Sequence, residues 1–274
     1  MSRMTPMPGH NPFKTRLLRG EPQFGIFCMS VAAQTADALI DARFDFLLFD
    51  AEHTPTSLPI LNAQVLALAG SATQMAVRMP SNDPVLFKPV LDMGIDTLMV
   101  PNIRTADEAR AAVRAVRYPP EGQRGVGGSV RATRYGRDSG YYATAAGRVC
   151  LLLQIESAEG LRNLDAICAV EGVDGLFFGP VDLSTDMGYL AQPTHPEVMA
   201  AALDGVRRVA AAGKAAGILA GEAQAQAYLD AGATMVCLGS DLGLLVKAAD
   251  TLAGRWVGKT ASTPATATPP AKGA

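Results

Sequence analysis

The chain has 274 residues, 49% hydrophobic and 18% charged, with a formal net charge of −2. That is too apolar for a disordered chain. The balance of charge gives no electrostatic footing for nucleic acid or a membrane surface.

Residues 1–12 mix Pro, Gly and Met without the apolar run of a signal peptide. Residues 1–10 are expected as a flexible tail, 11–257 as one domain, and 258–274, rich in Thr, Ala and Pro, as a disordered tail. The longest stretch free of Asp, Glu, Lys and Arg, 54–77, carries Pro55, Pro59, Asn62 and Gln64 and does not read as a membrane span. Cys28, Cys150, Cys168 and Cys237 are too dispersed for a zinc knuckle or a redox pair. They are expected as reduced core thiols of a cytoplasmic protein.

Eight short apolar runs follow in order: 24–29, 45–49, 74–78, 97–100, 149–155, 175–178, 215–219 and 235–238. Near-continuous apolar runs are what strands covered on both faces require. Helical patterns separate them: 35–42, 57–69, 84–93, 106–116, 158–169, 196–212, 222–231 and 242–252. Start signals include Asp83-Pro84, Thr105 with Glu108, and Ser157. Gly94, Gly172, Gly213 and Gly232 sit where left-handed helix stops belong. Eight strand–helix repeats predict a single-domain α/β (β/α)8 TIM barrel. The rival, an open doubly wound sheet, would carry a Gly-rich turn after its first strand. Here Ser30-Val31-Ala32-Ala33 stands there instead. The long 118–148 connection reads as a lid or an oligomer contact.

Barrel chemistry sits at the C-terminal ends of the strands, and the unusual polar residues fall there. They are Asp50-Ala51-Glu52-His53, Arg78, Asn102, Gln154 with Glu156, Asp182, and Ser240-Asp241. Glu156 and Asp182 end neighbouring strands, and two close carboxylates call for a proton or a hard cation such as Mg2+, Mn2+ or Co2+. Helix capping is the plainer alternative for each. His53 follows a strand end beside carboxylates and suits a general base, with Asp50 placed to hold its ring. His195 reads as a helix cap. A buried Arg78 needs an anion, either a substrate oxyanion or a structural carboxylate such as Glu52. No lysine ends a strand at the barrel mouth, so an imine mechanism is not expected. No nucleotide cofactor is expected, and no Gly-x-Ser-x-Gly elbow occurs. A cation, one His base and one Arg suit enolate chemistry, hence reversible carbon–carbon cleavage.

The chain resembles the metal-dependent class II pyruvate aldolases of the HpcH/HpaI family, which includes 4-hydroxy-2-oxoheptanedioate and 2-keto-3-deoxy sugar acid aldolases. The likeness rests on an ordered set of motifs. These are Phe44 to His53, Val77-Arg78-Met79-Pro80, Leu91-Asp92-Met93-Gly94, Val100-Pro101-Asn102, Arg117-Tyr118-Pro119-Pro120 through Arg124 to Gly127, Gln154-Ile155-Glu156, and Phe178 to Leu183. The resemblance implies His53 as base, Asp50 as its near partner and Asp92 as a carboxylate raising its basicity. It implies Arg78 as transition-state stabiliser and Glu156 and Asp182 as metal ligands. Gln154, and Val181 through its backbone, become substrate contacts. It also implies a homo-oligomer, trimer or hexamer, with the last barrel helix exchanged between neighbours. Ala51 and Val181 depart from the family's commoner residues, changing pocket size at most. Ile218 and Leu219 are expected on the aldehyde side. The partners are a small 2-oxo acid and an aldehyde. The alternatives are a CoA-thioester lyase of the citrate or malyl-CoA type and a non-catalytic barrel that binds a 2-oxo acid.

Overall fold

A computed structural model describes residues 10–257, so the expectations for the two tails lie almost wholly outside the described residues. The strands are β1 (Gln23–Cys28), β2 (Phe46–Asp50), β3 (Gln74–Arg78), β4 (Thr97–Val100), β5 (Cys150–Ile155), β6 (Gly175–Phe178), β7 (Ala215–Leu219) and β8 (Met235–Ser240). They close into a barrel in sequence order, each pair parallel. The helices are α1 (Pro12–Leu18), α2 (Ala33–Leu39), α3 (Leu58–Ala67), α4 (Pro84–Asp92), α5 (Ala106–Val116), α6 (Tyr141–Arg148), α7 (Ala158–Arg162), α8 (Leu164–Cys168), α9 (Pro180–Asp186), α10 (Pro196–Ala211), α11 (Glu222–Asp230) and α12 (Asp241–Trp256). The (β/α)8 barrel expected from the repeats is the fold observed.

The local signals act as chemistry requires. Thr105 and Glu108 form a reciprocal capping box at α5, and Ser157 accepts from the Gly160 N–H at α7. Gly94 and Gly232 stop their helices at φ of 84° and 102°. Three short helices were not anticipated. α1, capped by Asn11, plugs the N-terminal end of the barrel with Phe13 and Leu17. There Phe13 meets Phe46 edge-on at 5.0 Å. α6 lies within the 118–148 connection, and α9 begins directly after β6. The expected helix 158–169 is interrupted at Asn163.

Side chains alternate along each strand. Phe27, Phe46, Leu48, Met99, Leu152, Phe177 and Met235 fill the barrel interior. Leu47, Phe49, Val77, Leu153 and Ile218 face the helix layer. The interior is tight: a Cβ on Gly25 would clash with the Phe46 ring. All four cysteines are buried and unbridged.

The 118–148 connection is pinned by Arg124, whose side chain is wholly buried. Its guanidinium lies 4.7 Å from the Tyr118 ring centroid and donates to Asp92 Oδ1 and the Tyr141 hydroxyl, both at 3.1 Å. This packing fixes the segment against the C-terminal end of α4.

Candidate active site

β2 and β3 are in register with Asp50 opposite Arg78. The guanidinium therefore meets the carboxylate as a fork, Nε to Oδ1 at 2.9 Å and Nη2 to Oδ2 at 2.7 Å. Asp50 Oδ1 also accepts the backbone N–H groups of Glu52 and His53. Burial alone would raise the Asp50 pKa, but Arg78 and these N–H donors hold it below the usual carboxylate range. Asp50 thus shapes the turn that carries His53, and its oxygens serve Arg78 and backbone rather than the imidazole. Among the described residues the carboxylate within 4 Å of the His53 ring is Glu52, with Oε2 at 3.9 Å from Nε2. This replaces the expectation that Asp50 holds the ring. The reason is the cross-strand register, which sequence spacing does not reveal.

Arg78 has two anionic neighbours, because Nη1 lies 3.2 Å from Glu52 Oε2. That oxygen is buried without a well-aligned donor. Burial raises the Glu52 pKa against the pull of Arg78 and His53. The Phe27 ring lies 5.0 Å beneath the guanidinium.

Glu156 follows β5. Its Oε1 accepts the Asn102 N–H at 2.8 Å, and Oε2 accepts the Gln154 amide at 2.6 Å. Asn102 reaches it from a left-handed conformation, φ 55°. Burial first, then repulsion from Glu52 and Asp182, pushes the Glu156 pKa up to about 7 despite the Asn102 N–H and Arg78. Asp182 stands exposed in the first turn of α9. The site therefore carries more clustered negative charge than its one committed guanidinium offsets. Gln154 Oε1 is buried with no partner. Gly179 lies against the pair, since a Cβ there would fall 2.5 Å from Glu156 Oε2 and 2.6 Å from Gln154 Nε2. Gly179→Ala should leave the barrel folded and displace both side chains, cutting turnover at least tenfold. Circular dichroism beside a steady-state assay checks this.

His53, Arg78, Gln154, Val181 and Asp182 line one cavity of about 450 Å3, walled on its apolar sides by Phe27, Phe177 and Leu219. Leu219 lines this cavity, whereas Ile218, expected beside it, is fully buried and points into the helix layer. Asp92 lies outside this cavity, bound to Arg124. His195 is a cap: its Nδ1 accepts the Glu197 N–H, and its ring stacks on Tyr189 at 3.7 Å. Lys14 and Lys214 sit at the opposite end of the barrel, their ammonium groups on the carbonyls of Val149 and Val173. A larger cleft of about 680 Å3, lined by Arg16, Asp41 and Asp45, also lies at that far end, away from the clustered carboxylates.

The family model for HpcH/HpaI aldolase/citrate lyase matches residues 23–248. The chain belongs to the HpcH/HpaI aldolase/citrate lyase family. It is 48% identical over 248 residues to a 4-hydroxy-2-oxo-heptane-1,7-dioate aldolase of Shigella sonnei, covering 90% of this chain and 95% of that protein. It is 44% identical to a hydroxypyruvate/pyruvate aldolase of Roseobacter denitrificans, covering 90% and 97%. The fold superposes on a crystal structure of an HpcH/HpaI aldolase/citrate lyase family protein from Burkholderia cenocepacia. The TM-score is 0.87 at 37% identity, with 90% and 99% of the two chains covered. No described helix is long and apolar enough to cross a membrane.

The family implies a divalent cation. Among the described residues no group of three His, Cys, Asp or Glu side chains is set to enclose one. The donors that fit are two carboxylates, Glu156 and Asp182, with the orphaned Gln154 oxygen nearby. Two hard oxygen ligands with open positions suit a cation that keeps waters and takes substrate oxygens.

The Glu156 shift carries a pH consequence for the metal-free chain. A carboxyl whose folded pKa is raised from 4.5 to about 7 binds its proton more tightly folded than unfolded. The associated stability is present below pH 4.5 and lost as pH rises through 7. Metal-free protein should lose about 2–3 kcal/mol between pH 5 and pH 8 from this group. Urea unfolding at the two pH values, with Mn2+ restoring stability at pH 8, checks it.

Proposed function

We propose that this chain is a class II pyruvate aldolase, splitting a 4-hydroxy-2-oxo acid into pyruvate and an aldehyde. The observation that supports this best is the cavity that holds His53, Arg78, Gln154 and Asp182 beside the buried Glu156. The names of the relatives at 48% and 44% identity agree with it.

A divalent cation held by Glu156 and Asp182 would supply Lewis-acid polarisation of the 2-oxo group. Arg78 presents its remaining N–H surface where the carbonyl oxygen gains charge, its orientation fixed by Asp50 and Phe27. Arg78 is anchored by carboxylates and still lines the cavity, which supports a substrate oxyanion as its further partner. His53, half-exposed at the mouth, removes the C4 hydroxyl proton as the C3–C4 bond breaks. The bonding pair passes through the new C2–C3 double bond onto the 2-oxo oxygen, and protonation at C3 gives pyruvate. Glu52 Oε2 faces the imidazole at 3.9 Å, while Asp50 holds the turn beneath. Gln154 and the Val181 N–H orient the acid end of the substrate. Phe27, Phe177 and Leu219 exclude water from the reacting carbons.

Asp92, part-buried outside the cavity and held by Arg124, would act on a His53 only if oligomer assembly brings it to a neighbouring mouth. The shape of α12 agrees with exchange of the last helix in a homo-oligomer. Leu244, Leu245, Val246, Leu252 and Trp256 are all exposed, and the buried residue of this helix is Asp241 at its start. A CoA-thioester lyase would need a site for an adenine nucleotide, and the cavity offers no cluster of basic residues for one.

The direct test offers 4-hydroxy-2-oxo acids to the full chain with Mg2+, Mn2+ or Co2+ and follows pyruvate release. Release that stops with EDTA supports the reading; no release from any of them overturns it.

A further inference from the structure

The register between β1 and β8 slips at the barrel mouth. Gly25 pairs with Cys237 but Phe27 pairs with Ser240, so two steps along β1 match three along β8. Gly239, at φ 135°, takes up the kink. The slip changes which way Ser240 faces. In a regular strand Ser240, three residues after the inward Cys237, would face the helix layer. The bulge returns it to the side of its partner Phe27, which faces inward, and Ser240 lines the active cavity.

Ser240 Oγ accepts the Gly243 N–H at 3.0 Å and so caps α12. A hydroxyl that accepts still has its own proton to donate. The structure gives that proton no acceptor among the described residues. The surrounding wall offers no substitute. β1, β7, β8 and the turns that follow them also bring Phe27, Met29, Leu219 and Gly239 to the cavity, none with a polar side chain that can donate. The backbone N–H groups of Met29 and Ser30 are already donated to the buried Asp241. Among the described residues Ser240 is thus the side-chain donor of this wall.

The next step rests on the aldolase reading. There the 2-oxo acid end of the substrate lies beside Glu156 and Asp182, after β5 and β6, and the C4 hydroxyl lies at His53, after β2. From β2 the barrel continues through β1 to β8, so the carbon beyond C4 extends toward Ser240. We propose that the Ser240 hydroxyl donates to an oxygen on that carbon, and so selects α-hydroxyaldehydes over their deoxy counterparts. A methyl group in that place would displace water from the hydroxyl and return no hydrogen bond.

The test uses the full-length enzyme with pyruvate and Mn2+. It compares kcat/KM for glycolaldehyde with that for propanal, in which a methyl replaces the hydroxyl. Hydration of the two aldehydes is the same for every variant and cancels from the change in their ratio. Ser240→Gly removes the donor, and glycine is well tolerated at an N-cap, so α12 persists. Ser240→Thr keeps both donor and cap. The glycolaldehyde-to-propanal ratio should fall about fivefold in Ser240→Gly, through loss with glycolaldehyde, and stay close to the parent's in Ser240→Thr. Exchange of the pyruvate methyl protons with solvent deuterium reads the donor half of the reaction alone and should persist in both variants. An unchanged ratio in Ser240→Gly with exchange intact overturns this proposal and leaves the aldolase reading standing. Equal losses with both aldehydes, which a cap alone would give, overturn it as well. Absence of exchange in the parent overturns that reading and this one with it.

Discussion

Arg78→Met should abolish most activity and also weaken the fold. Arg78 is the guanidinium that lines the cavity, and removing an electrostatic donor of this kind costs about 10²–10³ in kcat. The same change leaves Asp50 3% exposed with its ion-pair partner gone. Breaking a buried pair from one side costs about 3–5 kcal/mol. Arg78→Lys separates the two effects. It restores a cation, but a point charge cannot reproduce the fork to both Asp50 oxygens. Lysine should recover much of the stability and little of the turnover. Chemical unfolding measured beside kcat checks both. If Arg78→Met were as stable as the parent, the paired arrangement with Asp50 would be wrong.

Glu156→Gln should act in the opposite sense on stability. The substitution keeps the shape and removes a charge that burial, Glu52 and Asp182 all oppose. Metal-free Glu156→Gln should be at least as stable as the parent at pH 8, and the stability loss between pH 5 and pH 8 should largely vanish. Cation affinity should fall by more than the 10–100-fold typical of changes to groups around a metal's ligands, and turnover with it. Calorimetric titration with Mn2+ reads the affinity directly. A variant less stable than the parent at pH 8, yet binding Mn2+ as tightly, would remove Glu156 from the cation site.

The barrel was legible because each of its strands carries a short apolar run, and the order of runs and helical patterns maps directly onto a closed parallel sheet. His53, Arg78, Gln154, Glu156 and Asp182 were legible as polar residues at the C-terminal ends of those strands. The partners of these residues were less so. Asp50 lies three residues from His53 in sequence, which suggested a pair. The sheet register puts Asp50 opposite Arg78, 28 residues away, and a forked ion pair outcompetes a contact with the ring. Helices α1, α6 and α9 span seven or eight residues, too few for a 3.6-residue period to show. Asn11 before Pro12 was the available signal for α1. Gly179 falls within the Phe178 to Leu183 motif, but its role, the close approach of Glu156 and Gln154 in three dimensions, is not visible there.

The central claim is that this cavity, with a divalent cation on Glu156 and Asp182 and with Arg78 in place, labilises the methyl protons of pyruvate. Proton NMR of pyruvate in deuterium oxide measures that without knowledge of the aldehyde. Exchange should appear with Mg2+, Mn2+ or Co2+, stop with EDTA, and be lost in Arg78→Lys while the fold persists. Exchange that survives EDTA, or none with any of these cations, would contradict it.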